Sequence, residues 1–131
     1  MADTSLMRTP LKSVRRLGSA KGGTQKFWTQ RVTAVATLVL SIFAVLLLVT
    51  LAGREPDVVR RSLSNPMVAL PLLLLVVAGV LHMRLGMQVI IEDYVPAEGK
   101  KVVLLMLNTF FSFAIGAACT FALLKISFVG A

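Results

Sequence analysis

The chain has 131 residues, 56% of them apolar and only 15% charged, and its mean hydropathy is +0.83. A water-soluble domain lies nearer roughly 45–50% apolar and about 25% charged, so this composition excludes a soluble globular enzyme and indicates an integral membrane protein. Fourteen Lys and Arg against six Asp and Glu give a net charge of +8, and the lone Cys119 excludes an intrachain disulfide framework or a Cys-built zinc or iron–sulfur site from this chain alone.

The first 31 residues form a basic tail holding seven Lys and Arg beside the single acid Asp3. A secretory signal has a short basic region and an apolar stretch of about 7–15 residues, which this tail and the block after it do not match. Its Ser/Thr-containing, acid-poor composition leaves a mitochondrial transit peptide open as an alternative. Trp28, close to Arg31, has the character of an interfacial anchor. The tail reads as the inner-side flank of a membrane domain rather than as a nucleic-acid arm.

Three apolar blocks follow. Val32 to Ala52 carries no charge over 21 residues, a length of roughly 30 Å and therefore enough to cross the hydrocarbon core of a bilayer. Gly53-Arg54-Glu55-Pro56-Asp57 stops it. Ser64-Asn65-Pro66 is a helix start signal, and the second block runs from Met67 to Ile91, with Pro71 expected to kink it mildly. Its first part is uncharged as far as Leu81; its second carries His82, Arg84 and Gln88. Val95-Pro96-Ala97-Glu98-Gly99 makes a polar turn into Lys100-Lys101, and the third block extends from Val102 to Leu124. Blocks of this length are too long for barrel strands, and only helices or closed barrels satisfy the backbone in lipid. The expected fold is an all-α membrane protein with three transmembrane helices at about residues 32–52, 67–91 and 102–124, in a domain spanning 32–131 behind the 1–31 tail. Nine basic residues flank the tail side and four the other, which predicts an inside amino terminus and an outside carboxyl terminus.

An ionisable group at mid-membrane costs about 2.5–3.5 kcal/mol on insertion scales, so such residues are functional candidates. His82, the only histidine, lies roughly 15 Å from the inner end of its helix. Gly79 and Gly86, three before and four after, share its helical face. A large flat ligand such as haem, held through the imidazole, would find room there. The alternative is a neutral histidine hydrogen-bonded across a helix interface, with glycines allowing close packing. A haem with two histidine ligands would need its second from another chain. Tyr94, the only tyrosine, and Asp93 lie about 18 Å from His82 at the inner headgroup boundary. A phenol and a carboxylate there suit the hydrogen-bonding and proton needs of a quinone headgroup; simple interfacial anchoring is the alternative. Arg31 could hold a phosphate or a haem propionate, or only fix orientation. Arg84 and Glu92 carry no assignable role. Thr33, Thr37 and Ser41 on the first helix, and Ala114, Ala118 and Ala122 on the third, read as close-packing stripes. Asn108 reads as uninformative. No P-loop, nucleotide motif, Ser/His/Asp set or metal-ligand cluster is present.

The string His82-Met-Arg-Leu-Gly86-Met87, followed six residues later by Asp93-Tyr94-Val95, resembles the pattern H-x-x-x-G-M…D-Y-V of the small hydrophobic membrane-anchor subunits of succinate dehydrogenase, respiratory complex II. Phe27-Trp-Thr-Gln-Arg31-Val-Thr33-Ala34 is similar to the F-x-x-x-R-x-T-A that opens the first helix of that family. The resemblance implies packing with a second, larger cytochrome b anchor subunit into a helical bundle. One b-type haem would be shared between the two, with His82 as this chain's axial ligand to the haem iron and Arg31 near the propionates. It implies ubiquinone as substrate, with Tyr94 and Asp93 in its site. FAD and iron–sulfur clusters would reside only in the flavoprotein and iron–sulfur partner subunits, which this chain would dock to the membrane. It further implies a bacterial inner membrane or, alternatively, the mitochondrial one. A fumarate reductase anchor, or a non-redox three-helix assembly or transport subunit, are the competing readings.

Overall fold

A computed structural model describes residues 20–129; residues 1–19, most of the basic tail, lie outside the described residues, as do 130 and 131. Four helices follow one another: α1 (Ala20–Leu51), α2 (Pro56–Ser64), α3 (Pro66–Tyr94) and α4 (Glu98–Val129). No strand occurs among the described residues. Three of the helices, α1, α3 and α4, are long and apolar enough to cross a membrane. At 1.5 Å per residue they measure about 48, 44 and 48 Å, longer than a hydrocarbon core of roughly 30 Å. α1 and α4 therefore run well beyond the apolar blocks that mark them in the sequence, and α3 exceeds its block by a turn. Hydropathy locates the hydrocarbon, whereas a helix continues through polar residues until something stops it.

The stops are the punctuation residues. Gly53 takes φ 74°, a left-handed conformation open to glycine without steric cost, and the Arg54 amide turns back to the Leu51 carbonyl at 3.1 Å. Asn65 caps α3: its Oδ1 accepts from the Met67 amide at 3.0 Å, with Pro66 in the first turn where no amide is needed. α3 passes through Pro71 without a break. The short helix α2 occupies what the sequence suggests is a loop. Pro56 lies in its first turn with Asp57, and Arg61 lies in its last, charges placed to complement the helix dipole.

α3 is the central helix, packed against α1 on one side and α4 on the other, with α2 resting on α4 and α3. Ser127 ties α4 to α2 by donating to the Leu63 carbonyl at 3.1 Å. Burial is inverted relative to a water-soluble bundle. Ser112 and Thr33 are among the most buried side chains, at 1% and 8% exposure, and Ile91 is the only buried large apolar residue among those described. Leu, Val, Ile and Phe side chains cover the outside. In lipid, apolar side chains gain nothing by leaving the surroundings, so small and polar residues take the helix interfaces.

The α3–α4 seam shows this directly. Asn108 donates from Nδ2 to the Arg84 carbonyl at 3.0 Å. The Ser112 hydroxyl bonds back to the Asn108 carbonyl at 2.7 Å. A Cβ placed on Gly116 would meet Val80 at 3.4 Å. Asn108, Ser112 and Gly116, four residues apart, are thus the packing stripe of α4. The alanines at 114, 118 and 122 are exposed instead.

Candidate functional site

The carboxyl-terminal half of α3 lies against the amino-terminal half of α1, and the polar contacts between them mark the site. His82 is half-buried on α3. Its Nδ1 lies 3.4 Å from Oγ1 of Thr33 on α1. The two residues are 49 positions apart, and each belongs to one of the two motif segments singled out in the sequence. Thr33 was expected only to let helices approach; it is instead the side chain that reaches the imidazole.

The hydroxyl has one hydrogen and two lone pairs. Thr33 Oγ1 lies 2.8 Å from the Thr29 carbonyl and 3.1 Å from the Gln30 carbonyl, both acceptors on its own helix. Its hydrogen is committed to them, a back-bond common for threonine in a helix. Towards His82 it is then suited to accept, an arrangement that matches a ring hydrogen on Nδ1. Nε2 makes no hydrogen bond among the described residues. On the same helix, Gly79 and Gly86 leave open space, since a Cβ at either would have nothing within 4 Å.

A haem iron takes a neutral imidazole nitrogen whose partner N–H is held elsewhere, and the macrocycle needs an uncluttered helix face. Both conditions are met at His82, so the residues present fit the group. No cluster of three His, Cys, Asp or Glu suited to a metal occurs among the described residues. One imidazole is what this chain can offer an iron.

Ten residues further along α3, a second contact joins the two helices. Glu92 Oε1 accepts from Lys26 Nζ of α1 at 3.3 Å and from Gln88 Nε2, one turn earlier, at 2.7 Å. Lys26 does not stand out in the sequence, and Gln88 does so only as a polar residue in the second block. A basic residue seven positions before Thr33, on the same face of α1, is the only signal that could have paired it with the acid end of α3. Asp93 and Tyr94 come next, at the last turn of α3. Tyr94 is 81% exposed, and Asp93 is exposed as well. They adjoin each other and the Lys26–Glu92 pair, but stand about 18 Å along the axis from His82.

Arg31 is not brought to His82. It precedes Thr33 by two residues and so points about 200° round the helix. Its guanidinium sits 4.2 Å from the Phe27 ring centroid, and Phe27 meets Trp28 edge-on at 6.3 Å. This exposed aromatic–cation group lies at the amino-terminal end of the α1 apolar block. Arg84 is exposed and contributes only its carbonyl, to Asn108. An apolar groove of about 550 Å³ between α3 and α4, lined by Val76, Val80, Phe113 and Phe121 among others, includes none of the polar site residues.

Residues 5–116 match the family described as succinate dehydrogenase/fumarate reductase transmembrane subunit. Among named relatives, the succinate dehydrogenase hydrophobic membrane anchor subunit of Rickettsia bellii is 35% identical over 80% of this chain and 84% of its own length. The protein of the same name from Paracoccus denitrificans is 31% identical over 89% of this chain and 90% of its own. No solved structure matches the chain.

Proposed function

Because the chain belongs to the family of succinate dehydrogenase/fumarate reductase transmembrane subunits, we propose that it is the small hydrophobic membrane anchor of a succinate:ubiquinone oxidoreductase. It holds the flavoprotein and iron–sulfur subunits at the membrane, pairs with a larger cytochrome b anchor, and contributes half of a shared haem site and part of a quinone site. The observation that carries the reading is the Thr33–His82 contact. It joins the two motif segments in space around one imidazole whose Nε2 is free to bind. Succinate oxidation is favoured over a fumarate reductase role because the relatives described above carry the former name.

Nine basic residues on the tail side against four on the other support an inside amino terminus. The relatives are bacterial, which supports the bacterial inner membrane. On this orientation Lys26, Glu92, Asp93 and Tyr94 stand at the inner boundary, where the soluble subunits dock.

The reaction at the membrane adds two electrons and two protons to ubiquinone. When bound, a haem supplies a one-electron store between the two anchors. His82 would hold the haem iron from this chain, and a propionate reaching round α1 would meet the exposed Arg31. Tyr94 donates its phenolic hydrogen to a quinone carbonyl, which gains negative charge as electrons arrive, so the bond strengthens along the reaction. Asp93, next to it, is a carboxylate able to take a proton from the inner aqueous side and pass it on. The Lys26–Glu92–Gln88 contacts fix the end of α3 on which both residues sit.

The test is purification in mild detergent through this chain, with identification of what co-purifies and an optical spectrum of the product. A b-type spectrum with a soluble flavoprotein is the expected result. His82→Ala should remove the bis-imidazole signature; a colourless preparation lacking flavoprotein, or an unchanged signature in the variant, overturns the proposal.

A further inference from the structure

We infer that Thr33 is a positioning residue for the axial histidine, acting as hydrogen-bond acceptor for Nδ1–H of His82 so that Nε2 is the nitrogen presented to iron. The inference rests on the haem-ligand reading of His82 and adds to it the atom that selects the tautomer. Three features carry it. Thr33 is 8% exposed, so no water competes freely for the contact. Its hydrogen is committed to the Thr29 and Gln30 carbonyls, at 2.8 and 3.1 Å, both shorter than the 3.4 Å to His82. No other described residue bonds to the imidazole.

A ligand histidine whose second N–H is held by an acceptor is a better electron donor to its metal and is fixed in rotation about its bond to the metal. The Thr33 oxygen is neutral and already polarised by its own donated bond, so it strengthens the imidazole as a donor without turning it into an imidazolate. Electron donation stabilises the oxidised iron over the reduced. Removing the acceptor therefore favours the reduced haem. It also leaves a buried N–H unsatisfied and the ring free to turn.

The experiment uses the whole complex carrying Thr33→Val, Thr33→Ala, Thr33→Ser or His82→Ala, with redox titration of the haem and its low-spin electron paramagnetic spectrum as readouts. Thr33→Val keeps the shape and removes the acceptor. The ratio of reduced to oxidised haem at a fixed ambient potential should rise about three- to tenfold, or about 30–60 mV at 59 mV per tenfold for one electron. The low-spin signal should broaden as the ring orientation spreads. Thr33→Ser keeps the oxygen and should stay within about twofold of the parent in the same titration. Thr33→Ala repeats the loss of the acceptor without the valine methyls, and the same upward shift is expected from it. A potential that stays put or falls in both Val and Ala variants overturns the role of Thr33 while leaving His82 as ligand. If His82→Ala retains the bis-imidazole signature, the ligand reading itself fails and takes the inference with it.

Discussion

Tyr94→Phe separates a role in quinone chemistry from a role in the bundle. Tyr94 ends α3, is 81% exposed, and its hydroxyl has no hydrogen-bond partner among the described residues. Removing that oxygen takes nothing from helix packing, so stability should change by less than about 0.5 kcal/mol, as for other exposed substitutions. What remains is the bond to the substrate. A hydrogen bond to a neutral carbonyl contributes about 0.5–1.5 kcal/mol net. At 1.4 kcal/mol per factor of ten, its loss slows quinone reduction about 2- to 12-fold. The upper end applies when the carbonyl oxygen carries developing charge. The assay is paired: succinate-driven reduction of a short-chain ubiquinone, and succinate-driven reduction of a dye that takes electrons from the soluble subunits. Loss in the first with the second unchanged is expected, and thermal unfolding of the complex should be that of the parent. Equal losses in both assays would mean that the substitution acts through assembly, and no loss in either would remove Tyr94 from the quinone site.

Lys26→Ala should destabilise the complex by no more than about 1 kcal/mol, because the pair with Glu92 is half-exposed at 54% and 38%. The difference should shrink in high salt, as thermal unfolding at two ionic strengths will report. Asn108→Leu removes the interhelical bond to the Arg84 carbonyl and should cost about 0.6 kcal/mol, with roughly 1.7 as an upper bound, in detergent unfolding. Gly116→Ala should be tolerated, since its Cβ would rest 3.4 Å from Val80. Gly116→Leu should push α3 from α4 and lower the yield of assembled complex in membranes.

The spans, the Asn65-Pro66 start and the Gly53 stop were legible because each depends on local chemistry: hydropathy over some twenty residues, a side-chain cap, a left-handed turn. The faces were not. In α3 and α4 apolar residues run right round the helix, so periodicity does not say which side meets a neighbour. The alanines at 114, 118 and 122 and the Asn108–Ser112–Gly116 stripe are equally good candidates for a packing face on spacing alone, and the structure selects the second. Thr33 had the same ambiguity. As one of three small residues at i, i+4 and i+8 it looks like a packing residue. Only the register of α1 against α3 shows that its oxygen faces an imidazole. α2 is masked by its charge, which reads as a loop, although Pro56, Asp57 and Arg61 carry the terminal signals of a short helix. The start of α1 was placed at the edge of the hydrocarbon rather than of the helix.

That register deserves a cause, because lipid-exposed leucines and valines discriminate weakly between one helical offset and the next. The α1–α3 seam has two polar rungs, Thr33–His82 and Lys26–Glu92. They are seven residues apart on α1 and ten on α3, about 10.5 and 15 Å along the respective axes. The difference of about 4.5 Å lies within the reach of a long lysine and a glutamate, whose side chains also lean towards their own helix amino termini. Sliding α1 by one turn, about 5.4 Å, separates Thr33 from His82 in either direction, and a slide towards the carboxyl end of α1 also widens the Lys26–Glu92 offset from about 4.5 to about 10 Å. Each contact is weak in energy; the Thr33–His82 rung is lost in either shifted register, and the Lys26–Glu92 rung adds its loss in one of them. Polar contacts in a low-dielectric seam can fix register without adding much stability. The orientation of the His82 ring and the position of Tyr94 are then two consequences of a single alignment. Breaking the Lys26–Glu92 rung in a Thr33→Val background should therefore broaden the haem signal and slow quinone reduction more than the two separate changes combined. Strict additivity in that double-mutant cycle would show that the rungs act independently and that the register has another origin.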